Sequence, residues 1–243
     1  MKNRFLIAAA LGSSLFLTDC NKNKGDAAAN DSSAITYQLT TSGTTSNLDR
    51  MDVSTTGRTE GNAITWTGGY ITCNEIRFSA KGHGRGDKDD DDNNKPEFKS
   101  KVILHINLFK TIATLGSITV PADIYNKIEF KIELSPSGDQ AAFELTGFYI
   151  RNGVSVPITL RFDIPIELAF QLAASDNLNI NTALTALNTL DLDQLLQGIT
   201  QQMLNNAVLV NNTIIISSNS NVAMFKIISN SLHIMLKVKV KEH

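Results

Sequence analysis

The stretch "KIEFKIEL", Lys127 to Leu134, constrains this chain more than any other. Ile128, Phe130, Ile132 and Leu134 alternate with Lys127, Glu129, Lys131 and Glu133. A helix would scatter these apolar positions around its circumference; an extended chain puts them all on one face and the charges on the other. The segment is a half-buried strand, and a half-buried strand needs neighbours and an opposing apolar layer.

Those neighbours are legible elsewhere. "AITYQLT" from Ala34 reads as a first strand. In "AITWTGGYITCNEIRFSAKG" from Ala63, Gly68-Gly69 suggests a bend or bulge between two strand segments, and Trp66, Tyr70, Ile76 and Phe78 read as packing residues. "KVILHINL" from Lys101 puts Val102, Leu104, Ile106 and Leu108 on one side. In "AAFELTGFYI" the alternation is Phe143, Leu145, Gly147, Tyr149. The pair Asn152-Gly153 suits the positive backbone angles of a two-residue hairpin, after which Val156, Ile158, Leu160 and Phe162 share a face. Pro157 between them fits an edge or bulge better than a central ladder. Residues 125 to 163 therefore predict a three-stranded antiparallel meander.

The period changes near Ser175. Leu187, Leu190, Leu195, Ile199 and Met203 form a helical stripe, predicting a helix near 187–206, with Asp191 and Gln194 spaced as a capping box and Gly198 as a cost. A short strand follows from Asn212 and a second helix is expected near 221–231. From Leu232 the sequence alternates again through Ile234, Leu236, Val238 and Val240, with Lys237, Lys239 and Lys241 facing water. Together these elements predict a mainly β fold, an antiparallel immunoglobulin-like or related β-sandwich with a C-terminal helical elaboration, in a single domain over 34–243.

The N-terminus supplies an address. Lys2 and Arg4 precede an apolar run from Phe5 to Leu17 containing two serines. The run is shorter than the roughly 20 residues a bilayer span needs, and has the order of a secretory signal. Leu17-Thr18-Asp19-Cys20 resembles the bacterial lipoprotein box, which implies lipidation of Cys20 after removal of residues 1–19. Residues 21–33 are polar and small, as in a tether. Lipid chains add about 0.8 kcal/mol per buried methylene, so more than one chain holds a protein to a membrane without a spanning helix.

Net charge is −2, no footprint for nucleic acid. With Cys20 lipidated, Cys73 has no partner for a disulfide, and its setting in a strand reads as a small buried hydrophobe. "GHGRGDKDDDDNNKPE", residues 82–97, is the most chemically suggestive stretch. Asp87, Asp89, Asp91 and Asn93 supply hard oxygens at alternate positions, a candidate Ca²⁺ loop. Asp92 stands where a hand-type site needs glycine, and Phe98 where it needs glutamate. The plainer reading is a solvated loop. No other cofactor is expected. His83, His105, His233 and His243 form no cluster in sequence, Arg85-Gly86-Asp87 reads as chance, and Glu129 with Glu133 reads as the wet side of a strand. No serine elbow, phosphate loop, zinc helix or dinucleotide glycine pattern is present.

"ITWTGGYITCNEIRFSA", "KSKVILHINLF" and "VPADIYNKIEFKIEL" together resemble a family of Bacteroidetes lipoproteins, flavobacterial ones above all, with a β-sandwich domain of unknown function. The resemblance implies an envelope location, with lipid attachment at the outer membrane, and transfers no catalytic residues. The functional expectation is a non-enzymatic, surface-anchored binding or structural protein with a glycan or envelope protein as partner. Trp66 and Tyr70 are its candidate sugar-stacking rings. The alternatives are an accessory subunit of an envelope assembly and a hydrolase whose site is assembled from distant positions.

Overall fold

The computed structural model describes residues 32–47, 63–82, 97–110, 112–172 and 177–242. Cys20, the leader, the tether and the acidic-loop residues Asp87, Asp89, Asp91 and Asn93 lie outside them. Fourteen strands and three short helices among the described residues make the fold mainly β. Four strands, β14 (Leu236–Glu242), β11 (Leu184–Asp191), β1 (Ser32–Ser42) and β5 (Ala113–Pro121), form one sheet in that order. The other ten form a second, curled, half-barrel-like sheet.

One strand organises the large sheet. β3 (Ala63–Gly82) runs unbroken for 20 residues. Along one edge it pairs first with β7 (Phe143–Arg151) and then with β6 (Ile124–Leu134). The opposite edge takes β2 (Thr45–Asn47) and then β4 (Glu97–Asn107). Beyond β7 come β8 (Val154–Phe162), β13 (Thr213–Ile216) and β12 (Leu209–Val210). Beyond β6 come β9 (Ile166–Gln171) and β10 (Leu178–Asn179). The register of β3 shifts near Trp66/Gly68, Cys73/Glu75 and Ser79/Lys81. Each such irregularity bends the strand and increases its twist, which is how one long strand serves a curled sheet.

The predicted alternation holds where it was cleanest. Ile128, Phe130, Ile132 and Leu134 are buried, and each such side chain contributes about 1.5–3 kcal/mol by leaving water. Phe130 ties the sheets together: its ring centroid lies 5.9 Å from Tyr37 of β1 and 5.5 Å from Phe78 of β3. The Tyr37 hydroxyl donates to the Arg77 carbonyl at 2.5 Å, so this buried phenol is satisfied within the core. Of the three helices, α1 (Leu192–Leu195), α2 (Gln201–Asn205) and α3 (Val222–Met235), α1 packs against α3. The Phe225 ring of α3 lies tilted against that of Phe162, centroids 4.7 Å apart.

Several expectations are corrected. The meander over 125–163 does not form, because β3 pairs with both β6 and β7 and no β6–β7 pairing exists. Only its second half, the β7–β8 hairpin, survives, with Asn152 and Gly153 at φ 50° and 80°. The sheets are not wholly antiparallel: β1 runs parallel to β11, and β13 parallel to β8. The helix predicted near 187–206 begins late and is broken in two, α1 ending at Leu195 and α2 starting at Gln201, with Gly198 between them at φ 87°. Leu187 and Leu190 lie in β11, between β1 and β14, where ladder bonds on both edges outweigh a helical stripe. Asp191 does cap a helix, accepting from the Asp193 N–H.

At the C-terminus α3 runs through Ile234 to Met235, and the strand starts at Leu236, where pairing with Leu190 begins. β4 also departs from its pattern: Ile106 is buried but Leu104 is 37% exposed. Pro157 sits where β8 has not yet met β13, whose pairing starts at Ile158, so its missing N–H interrupts no ladder with that strand. β5 and β9 were not foreseen. "ATLGSITVP" and "IELAFQ" are short and weakly alternating, and their strand state follows from pairing with β1 and β6.

Candidate functional site

A bulge decides which aromatic ring reaches solvent. Trp66 and Tyr70 are four residues apart and would share a face in a regular strand. The register shift between Trp66 and Gly68 inserts one extra residue, so Trp66 turns inward and Tyr70 outward. Trp66 is 3% exposed and belongs to the core. It is therefore withdrawn as a sugar-stacking residue. Tyr70 is half-buried on the outer face of the large sheet.

The sheet brings a row of polar groups to Tyr70. Glu144 is its register partner on β7, and Arg161 of β8 is the partner of Glu144. The Tyr70 hydroxyl donates to Glu144 Oε2 at 3.3 Å and accepts from the Ala141 N–H at 3.4 Å. Arg161 donates from Nη1 to the same Oε2 at 2.9 Å, from Nε to Asp163 Oδ1 at 2.6 Å and from Nη2 to the Asp139 carbonyl at 3.0 Å. On the other side His105 of β4 lies with its ring centroid 4.3 Å from that of Tyr70. Thr72 pins the connection between β6 and β7 beside the row, donating its hydroxyl to the Ala141 carbonyl at 2.8 Å.

Burial, helped by the Glu144 carboxylate, raises the Tyr70 pKa, which keeps the phenol neutral and a hydrogen-bond donor. The Arg161 guanidinium is held charged by its hydrogen bond to Asp163. The arrangement is thus two rings, a shared carboxylate and a clamped guanidinium, each positioned by at least one neighbour. Such groups recognise hydroxyl-rich molecules through ring faces and directional hydrogen bonds. Glu144 and Asp163 both bind Arg161, so one guanidinium bridges two carboxylates.

A second polar group continues along the same face. Arg77 contacts Glu75 and Glu133 at 2.5 Å and Glu97 and Glu167 at 3.8 Å. Lys131 lies 3.4 Å from both Glu129 and Glu167. Burial opposes charge on Glu129, but the Gln171 hydrogen bond and Lys131 outweigh it and lower its pKa. Glu129 and Glu133 therefore lie on the outer side of β6, as expected, but in ion pairs. Glu75 is nearly buried beneath Arg77, at 5% exposure.

Cys73 is a free, buried thiol, and burial pushes its pKa to about 12, so it is no thiolate nucleophile at neutral pH. Among the described residues, no three His, Cys, Asp or Glu side chains are grouped to hold a metal ion, and no helix is long and apolar enough to cross a membrane.

His105, Glu144, Arg161 and Asp163 were not singled out from the sequence, yet one signal was there. Glu144 and Arg161 stand equally far from the Asn152-Gly153 turn, so a two-residue hairpin must pair them. Nothing comparable marks His105, which reaches Tyr70 only because β4 lies along β3. No family model, curated protein or solved structure matches this chain.

Proposed function

We propose that this chain is a non-enzymatic binding module of a bacterial envelope, lipid-anchored through Cys20 at the outer membrane and presenting the outer face of its large sheet to a glycan. The observation that carries the reading is the Tyr70–Glu144–Arg161 row, flanked by His105. Its side chains are held in place before any ligand arrives, so little side-chain freedom is lost on binding. The address rests on the signal-like leader, the lipoprotein box and the resemblance to Bacteroidetes lipoproteins. For architecture, we infer a two-layer sandwich related to the immunoglobulin type, supported by a core that both sheets share. The two parallel pairings distinguish it from the common antiparallel form.

A glycan array tests the ligand. Saturable binding is expected, weakened roughly tenfold, about 1.4 kcal/mol, by Tyr70→Ala and by Arg161→Met, with melting temperature retained. Absence of any saturable glycan, or binding indifferent to both substitutions, overturns the reading. Mass spectrometry of the native protein tests the anchor: acylated Cys20 at the mature N-terminus is expected.

A further inference from the structure

We propose that the chain forms a two-fold homodimer by pairing the free edge of β12 with the same edge of a second copy. The hairpin that contains β12 sets up this edge. Val210 pairs with Thr213 across Asn211-Asn212, whose φ angles of 50° and 61° make a two-residue turn. The residues flanking such a turn exchange both backbone hydrogen bonds, and bonding direction alternates along an antiparallel strand. The N–H and C=O of Val210 therefore point toward β13, and those of Leu209 point away from it. Val208 shows the same parity. Its N–H donates to Asn221 Oδ1 at 2.9 Å and its carbonyl accepts from Asn221 Nδ2 at 3.0 Å, while that Nδ2 also reaches the Ile215 carbonyl on β13. A side-chain amide thus fills the inner side of Val208, and Leu209 presents an outward donor and acceptor.

The side chains around that edge are apolar and exposed. Val208 is 67% exposed, Val210 41% and Leu209 39%. The β7–β8 turn is drawn against the same spot by Arg151, whose Nη1 donates to the Ala207 carbonyl at 3.5 Å, and Val154 beside it is 63% exposed. Val222, next to Asn221, adds a further apolar side chain.

Two observations select a second copy as the occupant. The first is charge. From Gln194 to Phe225 the sequence has no charged residue, whereas β14 carries Lys237, Lys239 and Lys241, and β4 carries Glu97, Lys99 and Lys101. Charges on outer strands prevent edge-to-edge association, and β12 lacks that protection. The second is register. A two-fold axis at Leu209 lets the two Leu209 residues exchange N–H···O bonds in an antiparallel pair. It also sets Val208 of one copy opposite Val210 of the other. The same short sequence supplies both halves, as an isologous contact requires.

Sedimentation velocity of the purified full chain tests the proposal, with thermal unfolding as the folding control. The wild type is expected to sediment as a dimer. Val208→Lys with Val210→Lys places lysine opposite lysine and is expected to give a monomer of unchanged melting temperature. Val208→Glu with Val210→Glu is expected to do the same. Mixing the two variants is expected to restore a dimer, because the register sets each lysine against a glutamate. A monomeric wild type overturns the proposal. So does a dimer that survives both double substitutions, or a mixture of folded variants that stays monomeric while the wild type pairs.

Discussion

Replacing Gly147 with alanine gives the sharpest test of how β7 is seated on β3. Gly147 is buried opposite Trp66. A Cβ there would stand 2.2 Å from the Thr65 carbonyl oxygen and 2.9 Å from the Trp66 Cα, both backbone atoms of β3. An ordinary carbon–oxygen contact needs roughly 3.3 Å, so the strands must part by about 1 Å. Overpacking of this kind costs about 1–3 kcal/mol. Each ladder bond stretched by the shift forfeits part of its roughly 1 kcal/mol, which brings the expected loss to about 2–4 kcal/mol. For a chain of this size that lowers the melting temperature by about 5–15 °C.

Two other glycines calibrate the result. A Cβ at Gly68 would meet Thr146 Oγ1 at 2.8 Å, a side-chain end that rotates away, and Gly68→Ala should cost less than about 1 kcal/mol. Gly153 has φ +80° with nothing within 4 Å, so Gly153→Ala carries only backbone strain, about 1–2 kcal/mol. Urea and thermal unfolding followed by circular dichroism give the three losses. Trp66 is the sole tryptophan and reports the Gly147 site directly through its emission. A Gly147→Ala chain within about 0.5 kcal/mol of wild type, with unshifted Trp66 emission, would show that β3 and β7 do not approach as described.

Further outcomes follow from the polar face and the core. Arg77→Met should destabilise the fold by about 1–3 kcal/mol by leaving the nearly buried Glu75 without its donor, and adding Glu75→Gln should recover part of that loss in chemical denaturation. Because Glu129 titrates lower in the folded chain than unfolded, its contribution is present above the unfolded carboxylate pKa and lost as pH falls through the folded value. Glu129→Gln should therefore flatten the acid side of a melting-temperature profile, and an unchanged profile would contradict the assigned partners. Alkylation of Cys73 should be negligible in the native chain at neutral pH and rapid in denaturant, read by peptide mass spectrometry.

The period-two pattern from Lys127 to Leu134 determined a strand and its wet and dry faces, because alternation is a property of the strand itself and needs no partner. Asn152-Gly153 likewise determined a hairpin, and with it the pairing of Glu144 with Arg161. Only the tertiary structure decided who sits beside whom. Pairing energy is gained between segments distant in sequence, so local pattern cannot reveal that β6 and β7 lie end to end along one edge of β3 or that Leu187 and Leu190 lie in a strand between β1 and β14. It decided the candidate site for the same reason. One inserted residue near Gly68 reverses the facing of everything before it, burying Trp66 and leaving Tyr70 to meet His105, Glu144 and the solvent.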